Sequence, residues 1–199
     1  MALLALSKPT GPNGDQKRLP ASWLLLVIWL LSAGLSLAAE ATPSRENQVK
    51  AVFLFNFAQF VEWPTQAFAA AQTPLVIGVL GEDPFGAFLD ETVRDEKVNN
   101  RPLAIQRYRR VEEIQTCHVL FISGSETARL EQILENLRGR NILTVGGAED
   151  FATRGVMIGF ATEKNKTRLK INVKAAKAAS LTISSKLLRP AEIINSERN

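Results

Sequence analysis

The chain predicts an α/β fold: a three-layer α/β/α domain with a mixed, largely parallel sheet and a C-terminal β-hairpin plus helix. Short runs that are apolar throughout, LVIGVL at 75–80, HVLFIS at 118–123 and NILTV at 141–145, alternate with helical patterns. Strands covered by helices on both faces read this way. Near the end, VMIGFAT and TRLKINV are separated by only Glu163-Lys164-Asn165-Lys166, the spacing of an antiparallel hairpin. No internal repeat or low-complexity linker interrupts the series, so one domain over 42–199 is the economical reading.

The first 41 residues read as a separate device. Lys8, Lys17 and Arg18 precede the uncharged run ASWLLLVIWLLSAGLSL at 21–37, which gives way to small residues and Glu40. A basic start, an apolar centre and small residues before a cut are the three parts of an export signal, here a signal peptide over 1–41. The alternative is an uncleaved anchor, since the run approaches the ~20 residues that span a bilayer. Both readings put the remainder outside the cytoplasm, in the periplasm.

Past the leader, 46–62 has helical spacing and Trp63-Pro64 closes it, because the residue before a proline is pushed out of the helical region. A wheel puts Val49, Phe53, Phe57 and Phe60 on one stripe, the expected core face, and Ala51, Leu54, Ala58 and Val61 on a second. Only Asn56, Gln59 and Glu62 make a polar strip. The apolar arc is wider than docking on one sheet requires, so either the helix is sandwiched within the domain or part of it awaits a partner or a second copy of the chain. Phe53, Phe55, Asn56, Gln59 and Trp63 are the candidate partner-binding residues, with Phe55 and Trp63 as aromatic anchors.

The strand LVIGVL comes next, followed by a short helix near 85–94 and strands at 103–108 and 118–123. An amphipathic helix over 126–138 carries Leu130, Ile133, Leu134 and Leu137 at helical spacing. The strand NILTV is expected to stop at Gly146-Gly147. After the hairpin a last helix is expected over 173–188, capped by Asn172, with Ala175, Ala179, Ile183 and Leu187 on one face.

Ligand sites in such sheets lie beyond the carboxyl ends of the strands. Gly81, Asp83, Phe85, Ser123, Ser125, Gly146 and Gly147 fall in the corresponding loops, and Arg168 on the hairpin could assist in holding a small anion. These residues are the candidate ligand crevice of a small-ligand receptor domain; the plainer reading makes them ordinary turn and cap residues.

Composition excludes several classes. The net charge is +4 with the basic residues scattered, which argues against a nucleic-acid partner. Cys117, the single cysteine, cannot form an internal disulfide and reads as a small buried hydrophobe. His118, the single histidine, lies in an apolar run, so a His-based metal cluster or a Ser-His-Asp triad would have to be built around a core residue. Glycine-rich nucleotide motifs and the GxSxG elbow are missing from the sequence. The expectation is a chain with no catalytic residues, no metal site and no cofactor.

The segment VKAVFLFNFAQFVEWP at 49–64 resembles the signature of the YfiR family. LVIGVLGEDPFG at 75–86, CHVLFIS at 117–123, the turn at 143–147 and INVKAAKAASLTISSKLL at 171–188 add to that resemblance, which covers roughly 46–190. It implies a periplasmic repressor that docks on the periplasmic sensor domain of an inner-membrane diguanylate cyclase and lowers cyclic-di-GMP signalling and biofilm formation. An outer-membrane lipoprotein that sequesters the repressor is a further implied partner, and a homodimer is a candidate assembly. Well-known members carry paired cysteines, whereas Cys117 stands alone, so redox control by an internal disulfide is not expected.

Overall fold

Ser44 starts the domain's first helix, its Oγ accepting from Asn47 N at 3.2 Å. The protein is described by a computed structural model over residues 42–163 and 166–194. The leader at 1–41, the hairpin tip at 164–165 and the residues 195–199 lie outside the described residues. In chain order the elements are α1 (Arg45–Phe60), β1 (Val61–Glu62), β2 (Leu75–Leu80), α2 (Ala87–Val93), β3 (Lys97–Val98), β4 (Arg101–Tyr108) and β5 (Val119–Ile122). They continue as α3 (Leu130–Asn136), β6 (Leu143–Gly146), β7 (Ile158–Glu163), β8 (Lys166–Asn172), α4 (Val173–Ala178), β9 (Thr182–Ile183), α5 (Ser185–Leu188) and β10 (Glu192–Ile194).

The main sheet has eight strands in the order β10-β8-β7-β6-β5-β2-β4-β3. Its pairs are parallel except β7 with β8 and β3 with β4. Helices cover both faces: α1, α2 and α4 pack on one side, and α3 packs on the other. This is the expected three-layer α/β arrangement with a mixed, mostly parallel sheet. Every residue of the central strand β2 is buried, as its unbroken apolar run requires.

Four local expectations need correction. On α1 the buried residues are Lys50, Ala51, Leu54, Phe57 and Ala58, so the second stripe, not the first, carries most of the core contact. Alanine at 51 and 58 lets the helix approach the sheet closely, and Val49 is left 37% exposed. The helix expected over 126–138 begins as a 3-10 turn, Gly124–Arg129, and becomes α-helical only at Leu130. Gly146 lies inside β6, paired with Ile122 and Gly159, where a Cβ would meet Phe151 Cβ at 2.5 Å.

The helix expected over 173–188 is two short helices with a strand between them. Ser180 adopts φ 59°, Asn141 Nδ2 donates to Ala179 O at 2.8 Å, and Thr182–Ile183 pairs antiparallel with β1. The backbone groups freed at the break are thus taken up by neighbours. Ala179, Ile183 and Leu187 are all buried as their spacing suggested, but from separate elements.

Gly78 sits at the middle of β2, where a Cβ would lie 2.7 Å from Tyr108 Cε2, 2.9 Å from Cys117 Sγ and 3.0 Å from Leu120 Cδ1. The close packing of that face therefore requires a residue without a side chain. Gly78→Ala is expected to cost ~1–3 kcal/mol of folding stability through overpacking. Gly124→Ala, where an added Cβ meets nothing within 4 Å, should stay within ~0.5 kcal/mol. Denaturant melts of the two variants check this, and a neutral Gly78→Ala would overturn it.

Candidate functional site

Lys50 is buried on α1 against the core, its Nζ 2.7 Å from Glu46 Oε1 and 5.6 Å from the centre of the Phe160 ring. The ring of Phe53 stacks on Phe57 at 5.9 Å and tilts against Phe160 at the same distance. Phe53, Phe55, Phe60 and Trp63 are half-buried and pack on the core cluster, while Val52 is 44% exposed. Asn56 is half-buried and Gln59 exposed. The outer face of α1 therefore runs Val49, Val52, Asn56, Gln59, with aromatic edges beside it. The candidate partner residues lie on one helix and the segment directly after it.

That following segment is held by His118. Trp63 Nε1 donates to His118 O at 3.2 Å, and the two rings meet edge to face. Val76 N donates to His118 Nδ1 at 3.0 Å, which leaves the ring proton on Nε2, 3.1 Å from Ala67 O. Phe68 stacks on the imidazole with centroids 4.4 Å apart, and Arg101 lies over the Phe68 ring at 3.8 Å. Arg101 also donates to Ala70 O and Thr73 O. The loop between β1 and β2 is thereby fastened to β4 and β5. Beside it lies a cavity of about 270 Å³ lined by residues that include Trp63, Phe68 and Arg101. Sequence reading kept His118 as a core residue but did not find Phe68 or Arg101, because their contact is made across the fold and leaves no local pattern.

The candidate crevice lies where the loops after β2 and β5 leave for opposite faces of the sheet, the switch point of such folds. Here the loops pack against each other. Glu82 N donates to Ser125 Oγ at 3.0 Å, and Gly147 N donates to Ile122 O at 2.8 Å. Gly81, at φ 90°, has no room for a side chain, since a Cβ would meet Ser125 Oγ at 2.5 Å. Ser123 is buried and its Oγ accepts from Ser125 N at 3.4 Å.

Asp83 caps its own turn by accepting from Phe85 N at 2.7 Å, and Phe85 is fully buried against Phe121. Arg107 binds Asp83, Asp90 and Gly86 O, and the two carboxylates, Asp90 first, raise its affinity for the proton. Arg168 stands apart on β8 and pairs with Glu163 at 3.4 Å. The structure gathers Gly81, Asp83, Ser123, Ser125, Gly146 and Gly147 at the carboxyl ends of β2, β5 and β6 and leaves Arg168 on the hairpin.

Cys117 is buried and its Sγ lies 3.2 Å from Val119 O. No group of His, Cys, Asp and Glu among the described residues could hold a metal ion, and no described helix is long and apolar enough to cross a membrane.

A family model described as YfiR/HmsC-like matches residues 47–192. No curated protein matches the chain. Among solved structures, the ABC domain in complex with L-Trp from Streptococcus pneumonia is 11% identical, with a TM-score of 0.47, over 72% of this chain and 60% of that one. The chain thus spans less than two thirds of that structure, and a likeness of this size carries no functional argument.

Two outcomes follow from the buried pair at 117–118. Burial lowers the pKa of His118, with the Arg101 charge acting the same way against the bond to Ala67 O. A depressed folded value means that the unfolded chain binds the proton first, so stability is complete above pH ~6.5 and falls as pH drops below it. Between pH 7.5 and 5.5 the loss should approach at most ~1.4 kcal/mol per pH unit, and His118→Gln should flatten it. Flat wild-type stability over that range would refute the buried neutral imidazole.

The Cys117 thiol is pushed up to about 12, chiefly by burial. A thiol reagent at pH 8 should modify it only as fast as the protein unfolds, and reductant should leave the melting temperature of the monomer unchanged.

Proposed function

The chain belongs to the YfiR/HmsC-like family, and from that premise we propose that it is an exported, non-enzymatic regulator. It binds the periplasmic sensor domain of an inner-membrane diguanylate cyclase and represses it, lowering cyclic-di-GMP output. The observation that carries the docking face is the exposure of α1. Its inner residues Ala51, Leu54, Phe57 and Ala58 are fully buried, yet Val49 and Val52 remain 37% and 44% exposed on the opposite side. Exposed aliphatic side chains on the helix that carries half-buried Phe55, with half-buried Trp63 in the segment after it, are the makings of an interface, where aromatic anchors dominate the energy. Asn56 and Gln59 on the same face supply hydrogen-bonding groups for its rim.

The reading also accounts for the His118 assembly. Trp63 presents a half-buried ring whose indole N–H is already satisfied within the domain, so its position is fixed before a partner arrives. Pre-organisation of this kind spares the ordering cost of binding.

Pull-down and titration with the periplasmic domain of a membrane-anchored cyclase from the same genome test the proposal. Val52→Glu and Phe55→Ala should each weaken binding by ~2 kcal/mol or more, the size of a hot spot. Val52→Glu, at an exposed position, should leave the melting temperature unaltered. Intact binding by both folded variants would remove α1 from the interface, and absence of binding by the unaltered protein would remove the cyclase.

A further inference from the structure

His118, the single histidine of the chain, is buried where the segment after β1 meets the sheet. Its Nδ1 accepts from Val76 N at 3.0 Å, and its Nε2–H donates to Ala67 O at 3.1 Å. A ring protonated on both nitrogens has no acceptor left. Charging it sets two N–H groups against each other at Val76 and leaves a buried amide without a partner. The charged ring keeps its bond to Ala67 O, so a ring that swings away from Val76 draws the segment with it.

The surroundings offer the charged ring no compensation. Residues 64–74, PTQAFAAAQTP, include no titratable group, and Val76 of β2 and Leu143 of β6, both bonded to His118, are apolar. β4 brings a like charge, Arg101, over the Phe68 ring that stacks on the imidazole. Glu62 lines the neighbouring cavity together with Trp63, Phe68 and Arg101 but is exposed to water. Burial, aided by the Arg101 charge and opposed by the bond to Ala67 O, holds the pKa of His118 below its ordinary value, so the ring charges below pH ~6.5.

The opening has natural bounds. Thr65, Gln66 and residues 69–72 are exposed, and the 3-10 turn Thr65–Ala67 buries no residue; stretches of this kind open locally before the core does. The cavity of about 270 Å³ gives Phe68 room to shift. Arg101 anchors the far end through Ala70 O and Thr73 O, and the pairing of β1 with β9 anchors the near end.

We propose that His118 is an acid-operated latch: when its ring gains the second N–H, residues 63–69 leave the sheet, Trp63 loses its fixed position, and the protein releases its partner in an acidified periplasm. The release of a partner rests on the reading of α1 and Trp63 as the docking face; the opening of the segment does not.

The test uses the protein without a histidine tag, whose one imidazole then gives a single Cε1–H resonance. That resonance is followed from pH 7.5 to 4.5 beside amide hydrogen exchange, corrected for its intrinsic pH dependence. As the ring charges, the amides of 65–69 should exchange about tenfold faster or more, while those of 119–122 and 143–146 keep their protection. Arg101→Gln, which removes the like charge, should move the transition to higher pH. Affinity for the cyclase's periplasmic domain should fall about tenfold or more over the same range. His118→Gln, whose amide offers one acceptor and one donor but takes no proton, should lose that fall. Unchanged exchange at 65–69 once the ring is charged, or loss of protection at 119–122 at the same pH, would overturn the latch. An equal fall in affinity in His118→Gln would overturn the partner release. Absence of binding at pH 7.5 would overturn the docking reading and the partner release with it, and exchange would still decide the latch.

Discussion

A buried, neutral imidazole ties together the parts of this domain that sequence separation would otherwise leave independent. His118 immediately precedes the strand β5, and through its backbone it accepts from Leu143 N at the start of β6 and donates to Val76 O in β2. Its ring then takes the amide of Val76 and gives its proton to Ala67 O, while its carbonyl also receives the Trp63 indole. Both ring nitrogens are used, and they demand opposite roles, one acceptor and one donor, which only the neutral form provides. Without that arrangement the buried amide of Val76 would lose its partner, at ~1–3 kcal/mol, and the partly buried carbonyl of Ala67 would lose its own. His118 is thus one of the ties between the segment after α1 and the sheet.

That connection decides what α1 can do. With Phe68 stacked on His118 and Arg101 over Phe68, the loop after α1 is pinned on the sheet side, and β1 pairs with β9 on the other. Lys186 of α5 lies 5.3 Å from the centre of the Phe60 ring and closes the same corner. The helix is held at its C-terminal end by contacts that do not draw on its outer face, so Val49 and Val52 stay exposed. A sandwiched helix, the alternative posed by the wide apolar arc, would have covered them.

The two candidate regions differ in what they ask of their residues. Around α1 the side chains are half-buried, with surface still open. At the switch point the glycines and serines are consumed by the fold: Gly81 makes room for Ser125, Ser125 bonds the backbone of Glu82, and Asp83 is divided between its own turn and Arg107. Open space is found instead at the opposite ends of the strands, where Ile142 precedes β6, Met157 precedes β7 and Asn172 ends β8.

The sequence by itself determined the layered α/β architecture, the buried central strand β2, the hairpin β7–β8, the burial of Cys117 and His118 and the family of the chain. The fold features rest on composition and periodicity within short windows, whereas the family rests on the resemblance of 49–64 and the later motifs to its signature. Only the tertiary structure decided which stripe of α1 faces the core, because two apolar stripes fit the wheel and the choice turned on the small size of Ala51 and Ala58 against the sheet. It also decided the fate of 173–188, where Ala179, Ile183 and Leu187 have helical spacing but β1 offers Thr182–Ile183 a strand to pair with, and backbone pairing across the fold overrode the local period. The stack of His118, Phe68 and Arg101 and the open space at Ile142, Met157 and Asn172 were likewise set by the fold, since each joins residues far apart in the chain.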